Sequence, residues 1–114
     1  MAASLLVTAL DAELPRMLVG AFKRVTFTTA ERLGAVLGIK PGPMVILLDE
    51  GQAGLVADLR RNDVRAVVLV RTQRVPVVFR HPVVAVVERP LVASRIISAL
   101  QQALADVSPS PDRS

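Results

Sequence analysis

The chain has 114 residues, enough for one domain with an ordinary hydrophobic core and no need of covalent staples. It holds no Cys, Trp or Tyr, so disulfides and thiolate chemistry are excluded and the core must be built from Val, Leu, Ile and Ala. The net charge is +4, from 14 Lys and Arg against 10 acids, and no apolar run approaches the roughly 20 residues that cross a bilayer. The first ten residues lack a basic segment and run early into Asp11, which is unlike a secretory leader. A cytoplasmic protein without membrane contact is expected.

In chain order, strand and helix patterns alternate. Leu5–Ala9 is a first apolar run. Ala12–Phe22 follows with Leu14, Leu18, Ala21 and Phe22 on one helical face, and Pro15 fits only a first turn. Arg24–Thr28 alternates as a short second strand. Thr28 with Glu31 three residues on is a capping-box pattern that opens a helix with Leu33, Val36 and Leu37 inward and Gly38 at its C-terminal stop.

The sequence Lys40-Pro41-Gly42-Pro43 then turns the chain into Met44-Val-Ile-Leu-Leu-Asp-Glu50, the run around which the rest is organised. Five consecutive apolar residues bounded by turn residues predict a strand buried on both faces. In an open parallel sheet, ligands and chemistry gather beyond the carboxyl ends of such strands, and Asp49 stands at that place. Leu55, Val56 and Leu59 mark a brief third helix closed by Asn62. Ala66–Val70 and Val83–Val87 are two further buried strands. Leu91–Leu104 makes the most regular helix, with Ile96, Ile97, Leu100 and Leu104 at helical spacing. The expected domain spans residues 1–106. The tail, residues 107–114, ends in Ser-Pro-Ser-Pro-Asp-Arg-Ser and is too polar and proline-rich to fold.

Five such units joined by parallel crossovers predict an α/β fold, a doubly wound five-stranded parallel sheet of flavodoxin-like type. One unit is irregular. Between the fourth and fifth strands, Arg71-Thr-Gln-Arg-Val-Pro-Val-Val-Phe-Arg-His-Pro82 has no helical period, so the fourth helix is expected to be shortened or missing. Its Val75, Val77, Val78 and Phe79 are too apolar for a free loop, and either fold back on the sheet edge or meet a partner.

Arg60, Arg61, Arg65, Arg71, Arg74, Arg80 and Arg89 crowd the second half with His81. A basic stripe is one footprint of nucleic-acid binding. Here Phe79 is the one aromatic residue among them, which offers no series of stacking platforms of the kind single-strand binders use, and no helix-turn-helix or zinc-finger spacing occurs, so a solvated basic surface is expected instead. A single histidine with no cysteine or carboxylate cluster offers no catalytic set. No glycine-rich phosphate loop is present either, since Gly34, Gly38 and Gly42 fall at a helix and a turn. No enzyme activity and no cofactor are expected.

The order of elements, Val45-Ile-Leu-Leu-Asp49 ending the third strand, and Glu88-Arg89-Pro90-Leu91 after the fifth resemble the receiver domain of two-component response regulators, over about residues 4–105. The resemblance implies a (βα)5 fold, a phosphoacceptor aspartate at Asp49 and a basic-Pro pair at Arg89-Pro90. It also implies an acidic pair that binds Mg²⁺ at the end of the first strand, but the matching positions are Ala9 and Leu10. Asp11 follows at once, either a displaced remnant of that pair or a residue complementing the start of a helix. The hydroxyl expected at the end of the fourth strand is replaced by Val70 or Arg71, with Thr72 nearby. Arg89 stands where the family has lysine, and only Asp49 and Pro90 match outright.

Phosphoryl transfer to a carboxylate needs a metal to neutralise the phosphoryl oxygens and donors to hold the product. A degenerate receiver that is not phosphorylated and binds no metal is therefore expected, with Asp49 either paired to Arg89 across the strand ends or capping the following turn. Such a domain acts through its surfaces. The expectation is a protein partner or a homodimer held through the face of the fourth strand, fifth strand and final helix, where Arg74, Val77, Phe79, Arg80 and Arg95 form an apolar patch rimmed by arginine. The alternatives are a phosphorelay acceptor using Asp49 and a nucleic-acid-binding protein using its arginines, whose affinity would fall steeply with salt.

Overall fold

The five apolar runs read as strands form one sheet, and every pairing among the described residues of that sheet is parallel. The computed structural model describes residues 3–39, 42–56, 63–71 and 82–107. Strands β1 (Ser4–Val7), β2 (Val25–Phe27), β3 (Met44–Asp49), β4 (Val64–Val70) and β5 (Val83–Glu88) lie in the order β2-β1-β3-β4-β5. Leu5 pairs with Val45, Ile46 with Ala66 and Val70 with Glu88. This is the doubly wound, flavodoxin-like arrangement.

Side chains of a strand alternate between faces, and the core accordingly separates into two layers. On one face Leu5, Val7, Val45, Leu47, Val67 and Leu69 meet helices α1 (Leu14–Val19) and α3 (Ala93–Val107). On the other, Leu6, Ile46, Leu48 and Ala66 meet Leu33 of helix α2 (Ala30–Ile39) and Val56 of a 3₁₀ helix (Glu50–Val56). Strand β3 is sealed on both sides from Met44 to Leu48, as its unbroken apolar run requires.

Several boundaries differ from those read in the sequence. Helix α1 stops at Val19, and only backbone bonds from Ala21 and Phe22 to Leu18 prolong the turn. Leu14 and Leu18 are buried and Phe22 is half-buried, whereas Ala21 faces solvent. Pro15 does lie in the first turn. The cap of α2 is Thr29, which accepts the Arg32 amide at 3.3 Å. Thr28 keeps a strand-like amide bond to Val7, which holds it in β2's path and moves the cap by one residue. Gly38 is inside α2 rather than beyond it. Among the described residues the one with a left-handed backbone is Gly42, φ 98°, in the turn before β3, a conformation that an L side chain rarely adopts.

The third helix is a 3₁₀ turn that leaves Leu55 half exposed, while Val56 is buried; Leu59 and Asn62 lie outside the described residues. Strand β5 is only partly covered, with Val84 47% exposed, because it ends the sheet. Helix α3 starts at Ala93 instead of Leu91 and runs through Val107, which is buried, so the folded part extends one residue past the expected limit. Ile96, Leu100 and Ala103 complete its buried stripe, whereas Ile97 and Leu104 are only partly covered. The irregular segment, with Arg74, Val77, Phe79, Arg80 and His81, and the tail from 108 lie outside the described residues. Arg65, one of the crowded arginines, is paired: its Nε donates to Asp106 Oδ2 at 2.7 Å, tying β4 to α3. No helix among the described residues is long and apolar enough to cross a membrane.

Candidate functional site

The carboxyl ends of β1, β3, β4 and β5 share one edge of the sheet, and parallel pairing brings the residues just beyond them together. Asp49 ends β3. Arg89 follows β5, anchored by its own amide on the Val70 carbonyl at 2.8 Å. Asp11 lies in the loop between β1 and α1. Since β1 and β5 are separated by β3 and β4, only a long side chain spans from one to the other.

Arg89 does so. Its Nε donates to Asp11 Oδ2 at 2.8 Å and one terminal nitrogen to Asp11 Oδ1 at 2.6 Å, a bidentate fork. The same terminal nitrogen donates to Asp49 Oδ1 at 2.7 Å. The other Asp49 oxygen accepts the Gly51 amide at 3.1 Å. The two expected roles for Asp49, ion pair and turn cap, are thus both realised, one by each oxygen. The side chains of Arg89 and Asp11 are 22% and 18% exposed, that of Asp49 37%, so water screens the Asp49 contact most.

Asp11 is neither helix-start decoration nor beyond reach: its backbone carbonyl takes the Leu14 amide while its carboxylate turns back to Arg89. The charge-assisted bonds from Arg89 hold the Asp11 carboxyl below the usual carboxylate range, burial opposing them. The same bonds, Asp11 first and Asp49 second, raise the Arg89 guanidinium above its ordinary value.

Two further residues complete the site. Thr8, fully buried, donates from its hydroxyl to Gln52 Oε1 at 3.0 Å. The Gln52 oxygen also accepts the Asp49 amide at 3.1 Å, and its Nε2 donates to the Thr8 carbonyl at 3.1 Å. One carboxamide therefore stitches the ends of β1 and β3 together. Neither residue stood out in the sequence, although a hydroxyl closing an apolar run and a carboxamide three positions after Asp49 were the available signals. Gln52→Ala is expected to leave the Thr8 carbonyl and the Asp49 amide without these partners, lowering stability by about 1–2 kcal/mol, as urea unfolding would measure.

The remaining family-matched positions are distributed otherwise. Ala9 is buried in the core and Leu10 is 83% exposed, so neither contributes an oxygen to the site. Val70 is buried and Arg71 exposed at the end of β4; Thr72 is outside the described residues. Pro90 follows Arg89 through a cis peptide bond. Arg95 is exposed on α3.

The donor set does not suit the divalent ion that the resemblance implies. Such an ion seeks several converging oxygens, and both carboxylates here are engaged by a permanent cation that an incoming ion would have to displace. Among the described residues no group of three His, Cys, Asp or Glu side chains gathers that could hold a metal ion. In comparison with known proteins, the sequence matches no family model and no curated protein.

Proposed function

We propose that the chain is a receiver-like protein-interaction module of bacterial signalling or regulation whose working state does not depend on phosphorylation. The observation that supports this reading most is Arg89 bonded to both Asp11 and Asp49. Each Asp49 oxygen accepts one hydrogen bond, one from the arginine and one from the Gly51 amide. Attack on a phosphoryl donor would need a metal beside the carboxylate to offset the added charge, and the guanidinium that bridges Asp11 and Asp49 stands in its way. The parallel sheet and the site at its carboxyl edge are the scaffold on which such modules work, and the surfaces remain to carry the role.

The test has two arms. Incubated with acetyl phosphate and Mg²⁺, the protein is expected to show no gain of a phosphoryl group in its intact mass. An Asp49-dependent gain would overturn the reading in favour of a phosphoacceptor. For the interaction role, Phe79→Asp is expected to abolish self-association or partner capture in sedimentation while leaving the circular dichroism spectrum unchanged. Unaltered association would remove that face from the proposal.

A further inference from the structure

The partners of Arg89 are unequal, and they join parts of the sheet that do not touch. Asp11 receives two donors in a fork, Asp49 only one. A bidentate guanidinium–carboxylate pair fixes direction as well as distance. The fork crosses the ends of β4 and β3 to reach the β1–α1 loop, and the loops it joins lead into α1 and α3, which pack on the same face of the sheet. Leu91 packs against that layer and Val92 begins α3's first turn, its carbonyl accepting the Arg95 and Ile96 amides at 3.0 and 3.1 Å.

We propose that Arg89 is a permanent strap in the place of a switch: anchored chiefly on Asp11, it holds the connection from β5 to α3 in one position, and with it the β5–α3 face. This inference rests on the reading of the chain as a receiver-like module and names how that module is regulated, by an internal counter-ion that neither arrives nor leaves. The anchor is Asp11, which lies one residue beyond the positions where the resemblance places its acidic pair and accepts the fork of Arg89 instead. Asp49 is the secondary contact. A device driven from the phosphoacceptor position would have the opposite order.

Hydrogen exchange on the full chain tests this order. The reporters are the amides of Arg89, Arg95 and Ile96, with β3 and the second half of α3 as internal references. Arg89→Met and Asp11→Asn are each expected to speed exchange at the reporters by about tenfold or more while leaving the references unchanged, the pattern of local opening. Asp49→Asn is expected to change the reporters by less than about threefold, since the fork persists. Arg89→Lys, with one donor head instead of a fork, is expected to fall between wild type and Arg89→Met.

Equal opening in Asp49→Asn and Asp11→Asn would overturn the proposal, as would unchanged exchange in Arg89→Met. If Arg89→Met speeds exchange in the references as well, a global loss of structure is being read, and Asp11→Asn decides by the same criterion. Failure here is distinguishable from failure of the functional reading. Phosphoryl uptake at Asp49 would remove that reading whatever the exchange shows, whereas unchanged exchange without uptake would remove the strap alone.

Discussion

Replacing Arg89 with methionine should lower the unfolding free energy by about 1–3 kcal/mol near neutral pH. Charge-assisted hydrogen bonds are worth about 1.5–3 kcal/mol when well shielded, and the partial exposure of all three side chains reduces that. Methionine keeps much of the arginine's length and apolar stem but leaves two carboxylates facing one another without a counter-charge. The loss should therefore be one of charge and not of packing. Adding Asp11→Asn and Asp49→Asn to the methionine variant is expected to recover part of the stability, because a neutral cluster no longer repels itself. A triple variant weaker than the single one would show that the side chains matter through shape.

The pH dependence follows with a definite sign. The Asp11 carboxyl is held below its ordinary value in the folded protein, mainly by its bonds to Arg89. A depressed carboxylate contributes stability that is fully present above its unfolded value, near 4, and is lost as pH falls through the folded value. Urea unfolding of wild type and Asp11→Asn should accordingly differ by a constant amount above about pH 5, and the difference should shrink below it. A difference that grows on acidification would contradict the assignment of the Asp11–Arg89 pair.

The second large effect belongs to the core. Leu47→Ala should cost about 2–5 kcal/mol, more than any single polar contact at the site. Leu47 is fully buried on the face shared with α1 and α3, and β3 is hydrogen-bonded on both sides, so the structure has little freedom to close the cavity. The same residue bears on the site, because its carbonyl accepts the Thr8 amide at 3.0 Å and the Ala9 amide at 3.3 Å. Truncation is expected to reduce the midpoint of urea unfolding with little change in slope. A loss well under about 1 kcal/mol would mean that this layer is less tightly packed than the full burial of Leu47 implies.

The sheet was legible because its strands are apolar runs with few rivals. Met44–Asp49 admits no amphipathic helix, and the same holds for Val64–Val70. The pairing of Asp49 with Arg89 was legible too, since both follow strands whose carboxyl ends share one edge. What could not be read was where a loop turns. Asp11 follows two residues with nothing to coordinate, and only the bend between β1 and α1 returns its carboxylate to the site. Gln52 reaches both Thr8 and Asp49 because the chain after β3 winds as a tight 3₁₀ turn that ends on the buried Val56. The α2 cap fell one residue away because Thr28 and Thr29 are both capable, and strand pairing claims the first. Ala9 and Leu10, at the positions where the resemblance places an acidic pair, were legible as lacking oxygen ligands, and the structure buries the first in the core and exposes the second.

These particulars converge on a single physical statement, that the guanidinium of Arg89 is the resident cation of this site and keeps Asp49 occupied. Two-dimensional ¹⁵N NMR of the Gly51 amide, which donates directly to Asp49 Oδ2, reports on that carboxylate more closely than any other signal. Titrated with Mg²⁺ and then with beryllofluoride, the wild-type resonance should stay in place. A saturable shift of Gly51 that disappears in Asp49→Asn would contradict the account.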